Sequence, residues 1–409
     1  MPGNLSAEET RARLCLWLTR DLGPVRTAAL LERFGSARGV LEASPAGLKS
    51  VRGIGPRLAD SIVRSMRTAE DTLDDELADV ERAGAQVVVR GGAGYPTALA
   101  EAPDGPLALV VRGAWTTGVI DRPGVAIVGS RRATQYGVEQ AERFGGALAR
   151  EGLTVVSGGT RGIDAAAHRG AMRAGGRTVV VLGSGLLCPY PPEHAGLFDQ
   201  IAGSGGAVVS ELPCGTGPSP DQFPTRNRII SGLSLGVLVV EAGVKSGALI
   251  TARQAAEDHG REVMALPGRV DSAACAGSLA LLKDGAALIT EPADVLLAVE
   301  HKAWLAHATN ATNRERTESN GADATARTGG STAGGSAESV GGASAGAASL
   351  SPEAARLVSV MEGPMTPDEL AKQSGLSASA VRTQLTLLEL AGVVVRDGTR
   401  VRRASATRP

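Results

Sequence analysis

Aromatic side chains are scarce in this sequence. Phenylalanine, tryptophan and tyrosine together make up 2% of the 409 residues, whereas hydrophobic residues as a whole make up 43% and glycine occurs 54 times. Globular proteins usually draw a large part of their buried area from aromatic rings. Alanine, valine and leucine must therefore fill the core, and the length is sufficient for two or three folded parts.

Cysteine is also rare. No two cysteines form a C-x-x-C pair, and the five histidines lack the spacing of metal ligands. The four cysteines are far apart in the chain, at Cys15, Cys188, Cys214 and Cys275. This pattern argues against a disulfide framework and against a zinc site. We therefore expect a protein of the reducing cytoplasm that holds no metal.

Long apolar runs and a strong net charge are both absent. The apolar stretch LCLWL after Arg13 is far shorter than the roughly 18 residues that a membrane-spanning helix needs, so we expect no membrane insertion. The formal net charge is −1. Any anion-binding site must therefore be a local cluster of cations rather than a property of the whole surface.

Changes in composition predict four segments. Residues 1–82 read as a helical domain, 83–300 as an α/β core, 301–349 as a flexible Gly/Ala/Ser linker, and 350–409 as a small winged-helix-like domain. In the first segment, LGPVRTAALLERFG and VRGIGPRLA each place glycine and proline before a helical pattern, and the second is similar to a helix-hairpin-helix (SAM-like) element. Its turn could face a phosphate through backbone amides, but a packing role is favoured.

Seven short, β-branched runs in the core segment alternate with helix-like stretches. Such alternation predicts a doubly wound, mostly parallel sheet, in which ligands bind beyond the carboxyl ends of the strands. The runs are VAIVG (125–129), LTVVS (153–157), TVVVLG (178–183), AVVS (207–210), VLVVE (237–241), EVMALPG (262–268) and ALIT (287–290).

The residues after these strands favour an anion. Arg131 in GSRRATQYG occupies the position where a dinucleotide fingerprint needs its second glycine, so we expect a phosphate contact rather than bound NAD. Glycine amides ahead of a helix, or cations beside them, recur in SGGTRGID and in EAGVKSGAL. QFPTRNRIISG adds an aromatic ring beside two arginines, a combination typical of single-strand binders.

Four other polar residues are predicted to support the site. Asp164 and His168 are one helical turn apart and could form a general-base pair, but we favour a structural role in which His168 satisfies the Asp164 carboxylate. One arginine of the pair at 226 and 228 is expected to bond internally to Glu211 or Glu241, and the other to face the ligand. The residues alone do not say which.

These motifs, in this order, resemble the DNA-processing protein A (DprA/Smf) family over roughly residues 125–290. The resemblance implies an extended Rossmann-like core that binds single-stranded DNA, forms a homodimer, and helps load the recombinase RecA during natural transformation. It also implies no catalytic turnover and no cofactor. The resemblance implies DNA-binding roles for Arg131, Gly158, Gly159, Arg161, Phe223, Arg226, Asn227, Arg228 and Lys245, and their motif neighbours Ser130, Ser246 and Gly247 complete the predicted set.

The last segment has the pattern of a winged helix, with Thr366 and Ser377 as candidate helix N-caps. We expect a weak DNA-binding or protein-docking role for it. Two alternative functions stay open. The core could be a nucleotide-processing enzyme similar to the phosphoribohydrolases, or it could sense a nucleotide while the winged helix binds DNA as a regulator.

Overall fold

The structure is a computed structural model, and its described residues fall into two compact units. Unit 1 is Met1–Arg327 and unit 2 is Thr328–Pro409. The described residues are 5–116, 121–299, 352–361, 363, 365–376, 381, 384–385, 388, 393–397 and 400–403. The predicted linker, residues 301–349, lies outside them.

The first unit begins with five helices. Glycine followed by proline starts two of them, α2 at Gly23 and Pro24 and α5 at Gly55 and Pro56, as the repeated motif predicts. Proline suits the first helical position because it lacks only a hydrogen bond that the helix start cannot make. The helices are α1 (Ala7–Leu18), α2 (Pro24–Phe34), α3 (Ala37–Leu41), α4 (Pro45–Lys49) and α5 (Pro56–Arg82).

These helices are joined to the sheet that follows. The indole nitrogen of Trp17 donates to the Glu211 carbonyl at 2.5 Å, and the Cys214 amide donates to the Glu76 carboxylate at 2.7 Å. Val80 of α5 packs in one apolar cluster with residues of the sheet. The segments predicted as residues 1–82 and 83–300 therefore lie in the same compact unit.

A nine-stranded sheet forms the centre of the first unit. The seven predicted runs become β3 to β9, all of them parallel to their neighbours within that group, in the order β6-β5-β4-β3-β7-β8-β9. The prediction of a doubly wound, mostly parallel sheet is confirmed. The strands are β3 (Gly124–Val128), β4 (Thr154–Ser157), β5 (Thr178–Val181), β6 (Ala207–Ser210), β7 (Gly236–Val239), β8 (Glu262–Ala265) and β9 (Ala287–Leu288).

Two further strands were missed from the sequence. β1 (Gln86–Val89) and β2 (Ala108–Gly113) pair with each other as antiparallel neighbours, and β2 pairs antiparallel with β6. The runs QVVV and ALVV carry the β-branched signal, but they lie before the first strand of the alternating pattern. They extend the sheet beyond β6.

Helices cover both faces of the sheet because side chains alternate along each strand. Val125 and Ile127 of β3 pack with Phe144 on one face, whereas Ala126 packs with Ile229 on the other. The remaining helices of the unit are α6 (Thr97–Ala100), α7 (Gln135–Arg150), α8 (Ile163–Arg173), α9 (Ala195–Gly203), α10 (Gln222–Gly232), α11 (Ala248–Glu257), α12 (Ala276–Lys283) and α13 (residues 292–299).

The strand order reverses at β3. From this strand the chain proceeds through β4, β5 and β6 to one side, and β7 then returns to the other side of β3. The two loops that leave β3 and β7 meet, since the Ser130 amide donates to the Glu241 carbonyl at 2.7 Å. A crevice at such a reversal is the usual ligand position in open α/β sheets.

The second unit contains α14 (Pro352–Val360), α15 (Pro367–Ser374) and an antiparallel hairpin of β10 (Val394–Asp397) and β11 (Arg400–Arg403). Thr366 caps α15 as predicted, in a capping box completed by Glu369. Ser377 lies outside the described residues. Across both units, none of the helices that the structure describes has the length and apolar character needed to span a bilayer.

Candidate nucleic-acid interface

A cavity of about 750 Å³ opens at the crevice between the ends of β3 and β7. Residues from five separate segments line it, so it exists only in the folded chain. They are residues 128–132, Thr160, Asp164, Tyr190, residues 218–220, Phe223, Pro224, Arg226, Asn227, Ile230, Gly243 and residues 245–248, 250 and 251. Eight of the predicted DNA-binding residues are among them: Ser130, Arg131, Phe223, Arg226, Asn227, Lys245, Ser246 and Gly247.

The rim of the cavity is cationic. Arg131, Arg132 and Lys245 are all exposed, on the loops that follow β3 and β7. Ser130 shapes the first loop, because its hydroxyl accepts from the Arg132 amide at 3.1 Å. Exposed guanidinium and ammonium groups around a concave surface are suited to phosphate groups.

The loop after β7 ends at the start of α11. Ser246 accepts from the Ala248 amide at 3.3 Å, and the Asn227 side chain donates to the Gly247 carbonyl at 3.5 Å. These contacts tie the loop carrying Lys245 to helix α10. The predicted group of residues 245–247 therefore borders the same cavity as the arginines of the β3 loop.

Two aromatic rings form one wall of the cavity. The Phe223 and Tyr190 rings lie edge to face, with centroids 5.5 Å apart and an angle of 63° between their planes. The Arg131 guanidinium lies over the Phe223 ring at 4.8 Å. Tyr190 was missed as a site residue. Its sequence signal is that it is one of only three tyrosines and follows the end of β5.

Arg161 stands beside Tyr190 rather than among the described residues that line the cavity. Its guanidinium lies 5.8 Å from the centroid of the Tyr190 ring and forms an ion pair with Glu193 at 2.5 Å. Both partners of the pair are about half exposed, at 50% and 49%. The Tyr190 hydroxyl and the Glu193 carboxylate raise the pKa of Arg161.

Arg226 forms part of the cavity floor and is only 5% exposed. Its guanidinium donates to the Gly158 carbonyl at 2.8 Å and to the Val181 carbonyl. Burial lowers the pKa of Arg226 to about 10, although the nearby Asp164 carboxylate opposes this shift. The Arg226 guanidinium therefore bonds to backbone carbonyls at the ends of β4 and β5.

The first two glycines of SGGTRGID are closely packed. A Cβ atom on Gly158 would lie 2.5 Å from a guanidinium nitrogen of Arg226, and one on Gly159 would lie 2.7 Å from the Val180 side chain. Gly159 also adopts a φ of +67°. Neither glycine is among the described residues that line the cavity.

Arg228 is likewise 5% exposed, and it is not among the described residues that line the cavity. It forms an ion pair with Glu211 and donates to the Asp104 carbonyl. The sequence led us to expect that one of the two arginines pairs internally and that the other faces the ligand. The internal pair is found for Arg228 with Glu211, whereas Arg226 borders the cavity but is bonded to the Gly158 and Val181 carbonyls.

The remaining support residues have partners of their own. Asp164 accepts from the Thr160 amide at 3.1 Å and from its hydroxyl at 2.8 Å, and burial raises the pKa of Asp164. His168 does not satisfy this carboxylate as expected. Its Nδ1 bonds to the Thr178 hydroxyl at 2.7 Å, and burial lowers the pKa of His168 to about 3. Glu241 accepts from the Thr134 amide at 3.0 Å and thereby fixes the start of α7.

No group of three or more potential metal ligands occurs within the ranges that the structure describes. The cavity therefore offers chiefly positive charge, aromatic faces and amide groups. This set can bind a phosphodiester and stack on a base.

Comparisons with known proteins place these motifs in a family. A profile described as DNA recombination-mediator protein A matches residues 86–300, and one described as DprA winged helix domain matches residues 342–398. Protein Smf of Synechocystis sp. is 38% identical over 274 residues, which are 66% of this chain and 67% of that protein. Protein Smf of Escherichia coli is 46% identical over 202 residues, so the match spans 49% of this chain and 53% of that protein.

The fold agrees with these sequence matches. The X-ray structure of DNA processing protein A from Streptococcus pneumoniae is 31% identical and aligns with a TM-score of 0.60, covering 73% of this chain and 99% of that one. The first profile matches more than half of the chain and includes every segment that lines the cavity. This chain therefore belongs to the DNA-processing protein A (DprA/Smf) family.

Proposed function

We propose that this protein binds single-stranded DNA in the cavity between β3 and β7. One observation carries the proposal: exposed Arg131 and Lys245 share a cavity with the half-buried ring of Phe223. Proteins that bind single strands combine cations, which follow the backbone, with aromatic rings, on which bases stack. Arg226 acts in this scheme as a positioning residue, since its donors hold the loop at Gly158.

A single strand fits this site better than a duplex does. The faces of paired bases are hidden in the stack, so they cannot reach a ring on the wall of a cavity. Among the described residues that line the cavity there is no histidine or cysteine, and Asp164, the one carboxylate, already accepts two bonds from Thr160, so we propose that the protein acts without turnover and without a cofactor. The DNA is protected while it is bound.

The partners are proposed from the family. Membership in a family of recombination mediators supports a role in handing single-stranded DNA to the recombinase RecA, during natural transformation or other DNA uptake and recombination. We propose that the protein acts as a homodimer. Leu288 on the edge strand β9 is 58% exposed and Leu297 on α13 is 52% exposed, and an exposed apolar edge suits contact with a second copy.

Binding of a labelled oligothymidylate, compared with a duplex of equal length and measured by fluorescence anisotropy, tests the proposal. We expect tight binding of the single strand and a large loss of affinity in Arg131→Glu and Lys245→Glu. Arg269→Glu is the matched control, because Arg269 is exposed and pairs with Asp271 outside the cavity. Equal affinity of all four proteins for the single strand would reject this site.

Two further measurements separate the alternatives. RecA filament formation on the bound strand, followed with and without this protein, tests the mediator role. Release of free base from a nucleoside monophosphate would favour the phosphoribohydrolase alternative, and sequence-specific duplex binding that exceeds single-strand binding would favour the regulator.

A further inference from the structure

The aromatic wall of the cavity consists of two similar units. In each unit an arginine guanidinium lies over a ring: Arg131 over Phe223 at 4.8 Å, and Arg161 over Tyr190 at 5.8 Å. Both rings line the cavity and both are half-buried. An aromatic ring with a cation above it is the combination that receives a base together with its phosphate.

The position of the Phe223 ring does not depend on the charge of Arg161. The Phe223 ring packs closely against Gly183, where an added Cβ atom would lie 3.0 Å from it, and the Arg226 guanidinium lies 6.0 Å from its centroid. Arg161 is half exposed, and its counter-ion, Glu193, is also half exposed and belongs to a short helical turn on the surface. A phosphate can therefore replace this carboxylate at Arg161 without opening the core.

We propose that Tyr190 and Arg161 form a second nucleotide subsite next to the one at Phe223. Tyr190 stacks on one base, and Arg161 leaves Glu193 to contact the phosphate of that nucleotide. The ligand is the neighbouring nucleotide of the same single strand. This inference rests on the proposed function, and it adds a path for the strand and a residue that the sequence motifs did not single out.

The geometry of the rings determines the shape of the bound strand. Their planes are inclined by 63°, and their centroids are 5.5 Å apart. Stacked neighbours in a helix are parallel and rise by about 3.4 Å per nucleotide. Two bases that each follow one of these rings cannot remain stacked on each other, so the strand is unstacked at this step.

A double-mutant cycle tests the subsite with an oligothymidylate. The proteins are the wild type, Tyr190→Leu, Phe223→Leu and the double variant, and leucine keeps bulk while removing the π face. Each single change is expected to weaken binding on the order of tenfold, as the loss of one stacked base does. Two independent subsites make the double variant weaker by the product of the single effects. Tyr190→Phe retains the ring and removes only the hydroxyl that bonds to Arg161, so it should keep most of the affinity that Tyr190→Leu loses.

The control is Tyr136→Leu, because Tyr136 is 46% exposed and lies outside the described lining of the cavity. Its affinity should stay unchanged. If Tyr190 only supports the Phe223 ring, the double variant will bind as Phe223→Leu does, and the proposal is overturned. Unchanged binding by Tyr190→Leu overturns it as well. In both cases binding by the wild type leaves the proposed function intact, whereas a wild type that does not bind the single strand removes that function itself.

A spectroscopic measurement needs no variant. A strand carrying two adjacent 2-aminopurines shows exciton-coupled circular dichroism while these bases are stacked. A short strand that fills only the cavity places the 2-aminopurine pair in the two subsites. Binding of this strand to the wild-type protein should abolish the exciton signal. An exciton signal that persists in the saturated complex contradicts the proposed strand path.

Discussion

The exposed and the buried arginines should differ in how they affect the salt dependence of DNA binding. Arg131, Arg132 and Lys245 are exposed at the rim of the cavity, whereas Arg226 and Arg228 are each 5% exposed and bonded to protein oxygens. Only a cation that reaches a phosphate displaces counter-ions from the strand. The slope of log K against the logarithm of the salt concentration therefore reports the number of exposed cations that contact phosphates.

The expected size follows from that count. Each phosphate contact on a single strand contributes about −0.7 to the slope, so the three rim cations give about −2 and roughly a 20-fold loss of affinity between about 50 and about 200 mM salt. Arg131→Gln combined with Lys245→Gln leaves one of these contacts. The slope should then be less steep than the wild-type slope by about 1.4, so the loss of affinity over the same range should be roughly sevenfold smaller.

Fluorescence anisotropy with a labelled oligothymidylate, titrated at several salt concentrations, measures these slopes. Arg228→Gln is the informative comparison, because its buried guanidinium is already paired with Glu211. This variant is expected to keep the wild-type slope, whatever its affinity at one salt concentration, when it is assayed below its unfolding temperature. The reasoning is refuted if Arg228→Gln lowers the slope by a full contact while the rim variant retains it.

Three further predictions concern charge and stability. Glu193→Gln removes the carboxylate that occupies Arg161, so anisotropy should show binding of single-stranded DNA that is tighter by a few-fold, and weaker binding would contradict the exchange of carboxylate for phosphate. Glu211→Ala leaves the buried charge of Arg228 without its counter-ion and should lower the free energy of unfolding by about 3–5 kcal/mol, whereas replacing both partners by apolar residues should restore much of the melting temperature. Burial lowers the pKa of His168 to about 3, so its ring stays neutral in the folded protein at a pH where it is protonated in the unfolded chain. Its contribution to the free energy of unfolding is therefore complete above about pH 6.5. Below that pH the unfolded chain takes up a proton, and this free energy falls by about 1.4 kcal/mol per pH unit. Melting curves of the wild type and of His168→Asn between pH 7 and 5 check this, and equal pH dependence of the two proteins would show that the histidine is not responsible.

The sequence signals that predicted the structure correctly were those that depend on neighbouring residues. A fully buried parallel strand reads as a β-branched run, and all seven such runs from Val125 onward became strands. Strands β1 and β2 carry a similar run but are antiparallel, and the alternation of strands and helices that revealed the others is absent around them. Their place beside β6 depends on pairing across long stretches of chain.

The sequence by itself determined the parallel sheet, the glycine-proline starts of α2 and α5, and the loops that meet beyond β3 and β7. Each of these follows from local pattern, because parallel strands bring their carboxyl ends to one edge. Only the tertiary structure decided which cations are available to a ligand. Arg226 and Arg228 are adjacent to Asn227 in one motif, yet their partners come from distant segments, at Gly158 and Glu211. A long side chain is buried or exposed according to what packs around it, and the residues that surround it are not its neighbours in the chain.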